Sequence, residues 1–349
     1  MKNGKQKKSS NHHSAKQSKK SKNKRAGDVQ ANEEIVTVDS FLSSLDEIGD
    51  QTIAADPQKK KKKKELVHTL RIFLIALFLG IFIFSAYMVI STIADGYNSD
   101  KINSELNDKF FSDVDRTKLM SYLSPEIIDI PTPEYFGDRS NLHNKDYTVK
   151  DTNNPLLTQY KEKLLAFQNV NSDIFGWIQV DGTNISYACV KGSDNEYYLE
   201  HTATKEFNVH GAIFADYLCR DGMLDNPNLV LYGHNSSFIG QMFSQVEKFL
   251  DKTFFDANRY ITIYTVDGIY KYEIFSIYQT SAGYNYTQLS FTSENSFVEW
   301  CNEIKANSLY QIDCEDFVPG TRILTLSTCT GVYMTERYSL HARLVSIEK

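Results

Sequence analysis

The stretch Ile72 to Ile90, IFLIALFLGIFIFSAYMVI, holds no charged residue, and its apolar character continues through Ser91, Thr92, Ile93 and Ala94. Nineteen to twenty-three helical residues at about 1.5 Å each span a hydrocarbon layer roughly 30 Å thick. The stretch is therefore predicted to be a transmembrane helix, which divides the chain into two parts in different compartments. A cleaved signal peptide is the competing reading. Its apolar region is only about 7–15 residues long and begins near the N-terminus, whereas this run is longer and starts some seventy residues in.

Charge sets the direction of crossing. Lys59 to Lys64 is an unbroken run of lysines just before the apolar stretch. Residues 1–65 hold 16 Lys/Arg against 9 Asp/Glu, a net of +7, while the whole chain has a net of −6, so the remainder stands at −13. The basic side, with Arg71, is expected to stay cytoplasmic and to meet anionic lipid, and everything beyond about Asp95 is expected to face outward.

The N-terminal tail, 1–65, is rich in Lys, Ser, Asn and Gln as far as Arg25 and cannot bury enough apolar surface to offset the entropy of ordering. It is expected to be disordered. A nucleic-acid role is set aside because no aromatic residue is interleaved with the charges. Phe41, Leu42, Leu45 and Ile48 recur at helical spacing after Asp39, which reads either as a short amphipathic helix against a partner or membrane, or as a transient helix within the tail.

The expected domain limits are 1–65 for the tail, 66–94 for the transmembrane helix, 95–154 for an extracellular stalk with some helix over Ile102–Phe111, and 155–349 for the principal domain. Within the last, Leu156, Tyr160, Leu164 and Phe167 predict a helix over Pro155–Asn169. Beyond Asp173 the pattern turns to β. GWIQV, NISYACV, GAIFADY, NLVLYG, ITIYTV, YKYEIFSIYQT, RILTLST and YSLHARLVSI are rich in β-branched and aromatic residues and are bounded by Gly, Asn or Asp. Eight strands predict a mainly β, antiparallel sheet closed into a barrel, which removes exposed edges. Helices are predicted over Ser293–Asn307 and, shorter, over Gly240–Leu250.

Cys329 ends one predicted strand and Arg337 begins the next, so a hairpin brings a thiol and a guanidinium to one rim. A free thiol has a pKa near 8.5 and only its thiolate attacks, so it needs a helper. His234, in LVLYGHN at the end of another apolar run, is the candidate. The plain alternative is that Cys329 is a small buried hydrophobe, one of five cysteines, with His234 in a turn and Arg337 on the surface. His341 and His210 are the rival histidines and Arg343 the rival arginine. The cysteines, Cys189, Cys219, Cys301, Cys314 and Cys329, are odd in number and scattered, which predicts a free thiol; Cys301 and Cys314 could pair. No metal-ligand spacing, phosphate loop or dinucleotide fingerprint is present, so no cofactor is expected.

TLSTC (Thr325 to Cys329), LYGHN (Leu231 to Asn235), Arg337 and DIFGWIQVDGTNISYACVKGSDNEYYLEH (Asp173 to His201) together resemble sortases, and more specifically class B sortases. The resemblance runs from about Asn169 to the C-terminus. Asp181 stands where a Pro is common and Ala188-Cys189 where Pro-Val is usual, both away from the presumed chemistry. It implies a sortase-type eight-stranded barrel covered by N-terminal helices. It also implies a cysteine transpeptidase in which Cys329 is the nucleophile, His234 the acid–base group and Arg337 the oxyanion partner. Ser327, Tyr286 and Asn235 are the expected substrate-binding residues: Ser327 and Tyr286 match substrate-groove positions, with a loop aromatic that packs locally as the plain alternative for Tyr286, and Asn235 shapes the turn after His234. The implied partners are secreted proteins with a C-terminal sorting motif and a peptidoglycan amine. A pilin polymerase with a lysine acceptor is the enzymatic alternative. An inert membrane-tethered scaffold is the non-enzymatic one, against which the intact Cys329, His234 and Arg337 argue.

Overall fold

The computed structural model describes residues 57–112, 147–150, 155–237, 239–331 and 335–349. Residues 1–56 of the basic tail, the candidate helix around Phe41–Ile48 among them, and most of the predicted stalk lie outside them, whereas residues 57–65, expected to belong to the disordered tail, are helical. The chain divides at Ile81 into two compact units. Helix α1 (Pro57–Phe111) carries the apolar run and is, among the described residues, the one helix long and apolar enough to cross a membrane. The helix expected over Ile102–Phe111 is its last stretch.

All eight predicted strands form: β2 (Ile174–Val180), β3 (Ser186–Val190), β4 (Ile213–Ala215), β5 (Asn228–Tyr232), β8 (Tyr260–Thr265), β9 (Gly268–Ser281), β10 (Ile323–Cys329) and β11 (Glu336–Glu348). They run in the order β11-β10-β5-β4-β3-β2-β8-β9, and β9 pairs back onto β11 to close an eight-stranded barrel. A ninth strand, β1 (Thr148–Lys150), comes from the stretch read as stalk and pairs with Ser346–Glu348 of β11, beyond the end of β10. A separate ribbon of β6 (Asn235–Ser236) and β7 (Gln241–Met242) follows β5 and was not anticipated.

The expectation of a wholly antiparallel sheet is corrected. β5 and β10 are parallel, and so are β3 and β4. Parallel neighbours need a long crossover, and everything from Gly233 to Arg322 lies between β5 and β10. The consequence is functional, because the C-terminal ends of two distant strands come to the same rim.

Inside the barrel, alternate residues such as Ile178, Leu231, Ile263, Leu324, Leu326 and Leu340 form the main core, each with no measurable exposure. Outside it, α2 (Pro155–Val170) lays Tyr160, Leu164 and Phe167 against Trp177. Phe110 of α1 stacks on the same indole at 4.6 Å between ring centroids, so the end of α1 belongs to this layer. The region predicted as a short helix over Gly240–Leu250 is β7 followed by a 3-10 turn, Ser244–Leu250, and then by α3 (Lys252–Ala257), which Asp251 caps. A third cluster forms where α4 (Glu294–Ala306) packs Phe297, Trp300 and Ile304 on Phe275 and Tyr278 of β9. Ser293 starts α4 with a reciprocal cap shared with Ser296.

Candidate active site

Cys329 is the last residue of β10 and pairs across the hairpin with Arg337, the second residue of β11; Arg337 pairs on its other side with Thr280 of β9. On the opposite flank of β10, Ser327 is level with Tyr232 of β5. His234 lies two residues past Tyr232, as Cys329 lies two past Ser327, so the parallel pairing brings the imidazole level with the thiol. Gly233 makes this possible. Its N–H donates to the Ser327 carbonyl at 3.3 Å, and an added Cβ would lie 2.5 Å from Ile213 Cδ1 and 2.9 Å from the Phe243 ring.

His234, Cys329, Arg337, Ser327 and Tyr286 all line one cavity of about 310 Å³, and the first three are half-buried. His234 Nε2 is 2.8 Å from the Leu199 carbonyl oxygen. A ring nitrogen facing a carbonyl carries the hydrogen, which leaves Nδ1 as the nitrogen able to take up and release a proton. The Tyr286 hydroxyl lies 2.8 Å from Ser327 Oγ, both buried on the cavity wall. Burial pushes the Tyr286 phenol up, and the Ser327 hydrogen bond and the Arg337 charge oppose this in part. Asn235 donates its amide to the Cys329 carbonyl at 2.9 Å and so ties β6 to the end of β10.

The rival groups stand elsewhere. His341 is fully buried in β11, with Nδ1 2.9 Å from Thr325 Oγ1 and Nε2 2.7 Å from Ser339 Oγ. Arg343 is buried and pairs with Glu315 at 3.0 Å. His210 contacts Ser236 rather than the cavity. Cys189, Cys219 and Cys301 are buried, and burial raises the Cys189 and Cys219 thiols, the latter to about 11. Cys301 and Cys314 are not disulfide-bonded to each other.

Sequence reasoning did not single out Leu199, Tyr232 or Asn195. Tyr232 donates to Asp216 at 2.9 Å, and Asn195 donates to the same carboxylate at 3.1 Å. Both line the cavity with Leu199. Asn195 and Leu199 fall in the DNEYYLEH segment, but a role carried by the Leu199 backbone carbonyl leaves no trace in side-chain chemistry.

A thiol, an imidazole and a guanidinium around one cavity at the rim of a closed barrel have the chemistry of a cysteine acyl-transfer centre. Comparison with known proteins agrees. The profile of the sortase domain matches residues 178–345. The chain is 32% identical to Sortase B of Listeria monocytogenes over 193 residues, which is 55% of this chain and 75% of that protein. A mutant form of Sortase B of Clostridium perfringens has a similar structure: TM-score 0.52, 33% identity, 55% of this chain and 90% of that one. Sortase B of Bacillus anthracis in complex with AAEK1 aligns with TM-score 0.54 at 27% identity, over 72% of this chain and 99% of that one. The chain belongs to the sortase family, within its class B, and is a cysteine transpeptidase.

Proposed function

We propose that this chain is a membrane-anchored transpeptidase that cuts a sorting motif near the C-terminus of secreted proteins and transfers them to an amine of peptidoglycan. The observation that best supports this reading is the convergence of Cys329, His234 and Arg337 on one cavity. In the proposed reaction the Cys329 thiolate attacks the carbonyl carbon of a Thr-Gly type bond. The C–N bond breaks as His234 gives a proton to the departing amine, and a thioester remains. An incoming amine, losing its proton to His234, then attacks the thioester and releases Cys329. Arg337 keeps its charge throughout, so it serves as a donor to the oxyanion rather than as a base. The Ser327–Tyr286 pair offers hydroxyls to the substrate backbone, and Asn235 holds the nucleophile's own carbonyl in place. The lysines before α1's apolar run put the N-terminus on the cytoplasmic side and the barrel outside.

The test is incubation of the full chain in detergent micelles with quenched peptides bearing several Thr-containing motifs, with and without an amine acceptor. Cleavage with acceptor-linked product is expected, and Cys329→Ala should lower it by about three orders of magnitude or more. Cleavage that survives in Cys329→Ala would overturn the assignment.

A further inference from the structure

His210, 8% exposed, bridges two segments far apart in sequence. Its Nε2 is 3.3 Å from the Thr92 carbonyl oxygen on α1, and its Nδ1 is 3.0 Å from Ser236 Oγ on β6. Nε2 therefore donates to Thr92 and Nδ1 accepts from the Ser236 hydroxyl, which is a neutral imidazole. Burial, with the nearby charge of His234, lowers the His210 pKa against the opposing pull of the Thr92 carbonyl and Asp95.

The contact is part of a clamp. Asn208 donates to the Asp95 carbonyl at 2.8 Å and Gln241 to the Gly96 carbonyl at 3.2 Å, so three side chains grip one short stretch of α1. Asn208 Oδ1 also accepts from the His210 backbone N–H at 2.9 Å, which fixes the ring's own base. Gly96 lets the two surfaces approach, since an added Cβ would lie 3.0 Å from Ile239 Cδ1. On the other side of the ring, Ser236 follows Asn235, which holds the Cys329 carbonyl, and Asn235 follows His234.

We propose that His210 is a positioning residue: by fixing β6 against the Thr92–Gly96 stretch of α1, it holds His234 and Asn235 in place beside Cys329. The proposal rests on the roles assigned above to Cys329 and His234. It makes the end of the apolar helix a structural part of the active site, and a fragment beginning at Asp95 lacks one partner of the clamp.

The test uses the full chain in detergent micelles. Alkylation of Cys329 by iodoacetamide is followed against pH by mass spectrometry, which separates it from Cys314. His210→Ala and Ser236→Ala are each expected to shift the midpoint of the profile by about half a pH unit or more, and the double variant no further than either alone. His210→Gln, which keeps a donor and an acceptor, should recover most of the difference. Asn107→Ala should leave the midpoint in place, because it removes only the acceptor of the Ser186 hydroxyl on another face of the barrel. In peptide cleavage the His210→Ala and Ser236→Ala variants should lose kcat several-fold with KM little changed. Unchanged midpoints in His210→Ala and Ser236→Ala would overturn the proposal. So would a shift in Asn107→Ala as large as theirs, which would mean general loosening. If the unsubstituted chain cuts no peptide, the proposed function fails while the alkylation profile still reads the position of the site.

Discussion

His341 sits in the middle of β11 with both ring nitrogens engaged, Nδ1 by Thr325 and Nε2 by Ser339 and, at 3.1 Å, by the Tyr278 hydroxyl. Thr325 in turn donates to Asn228 Oδ1 at 2.7 Å, so a polar chain crosses β5, β10, β11 and β9 within the wall of the barrel. Burial pushes the His341 pKa down to about 3, far below its ordinary value near 6.5. The unfolded chain therefore binds a proton as pH falls below about 6.5, while the folded chain refuses it until about 3. Stability contributed by the neutral ring is complete above about pH 6.5 and is lost progressively below it, by up to about 1.4 kcal/mol per pH unit. His210, also lowered, acts in the same direction. Denaturant unfolding at pH 7, 6 and 5 should show a shallower loss in His341→Gln than in the unsubstituted chain; equal slopes would show that His341 titrates normally. The cysteines differ in their surroundings. Cys329 stands half-buried in a cavity beside Arg337, while Cys189 and Cys219 are buried and burial raises their thiols.

The elements around the barrel do two jobs. The hairpin of β10 and β11 sets Cys329 against Arg337, and the parallel β5 brings His234 alongside. The helices seal the outer faces. Leu164 of α2 is fully buried between β2 and the end of α1, in the cluster that includes Trp177 and Phe110. Truncating it leaves a cavity in a layer that cannot collapse around the large rings, so Leu164→Ala should cost about 2–5 kcal/mol in a denaturant titration. Cleavage at temperatures below the transition should be unaffected, since Leu164 lies outside the set of residues that line the cavity. A loss under about 1 kcal/mol would mean that α2 is only loosely docked.

At the scale of the whole molecule, an apolar helix with a lysine run before it predicts a single crossing with the barrel outside. The full chain should remain in the membrane fraction through alkaline carbonate washing and leave only with detergent. Protease added to intact cells should remove a C-terminal epitope and spare an N-terminal one; the reverse pattern would invert the orientation. How much of this was legible before folding follows from the range of each interaction. The apolar run, the eight strands and the α2 and α4 helices are written in local composition and periodicity, which depend on neighbours a few residues apart. The meeting of Cys329 with Arg337 was legible too, because one short loop joins them. The parallel register of β5 on β10 was not, since it joins Tyr232 to Ser327 across the rest of the domain and depends on how the barrel closes. The same holds for the Leu199 carbonyl that orients His234, the Asn235 bond to Cys329, and the His210 clamp on α1. Sequence alone determined the eight barrel strands and the main helices, and it named the thiol, imidazole and guanidinium proposed to carry the chemistry. Tertiary structure decided their mutual placement, because backbone carbonyls and long-range pairings acquire partners only when the sheet closes on itself.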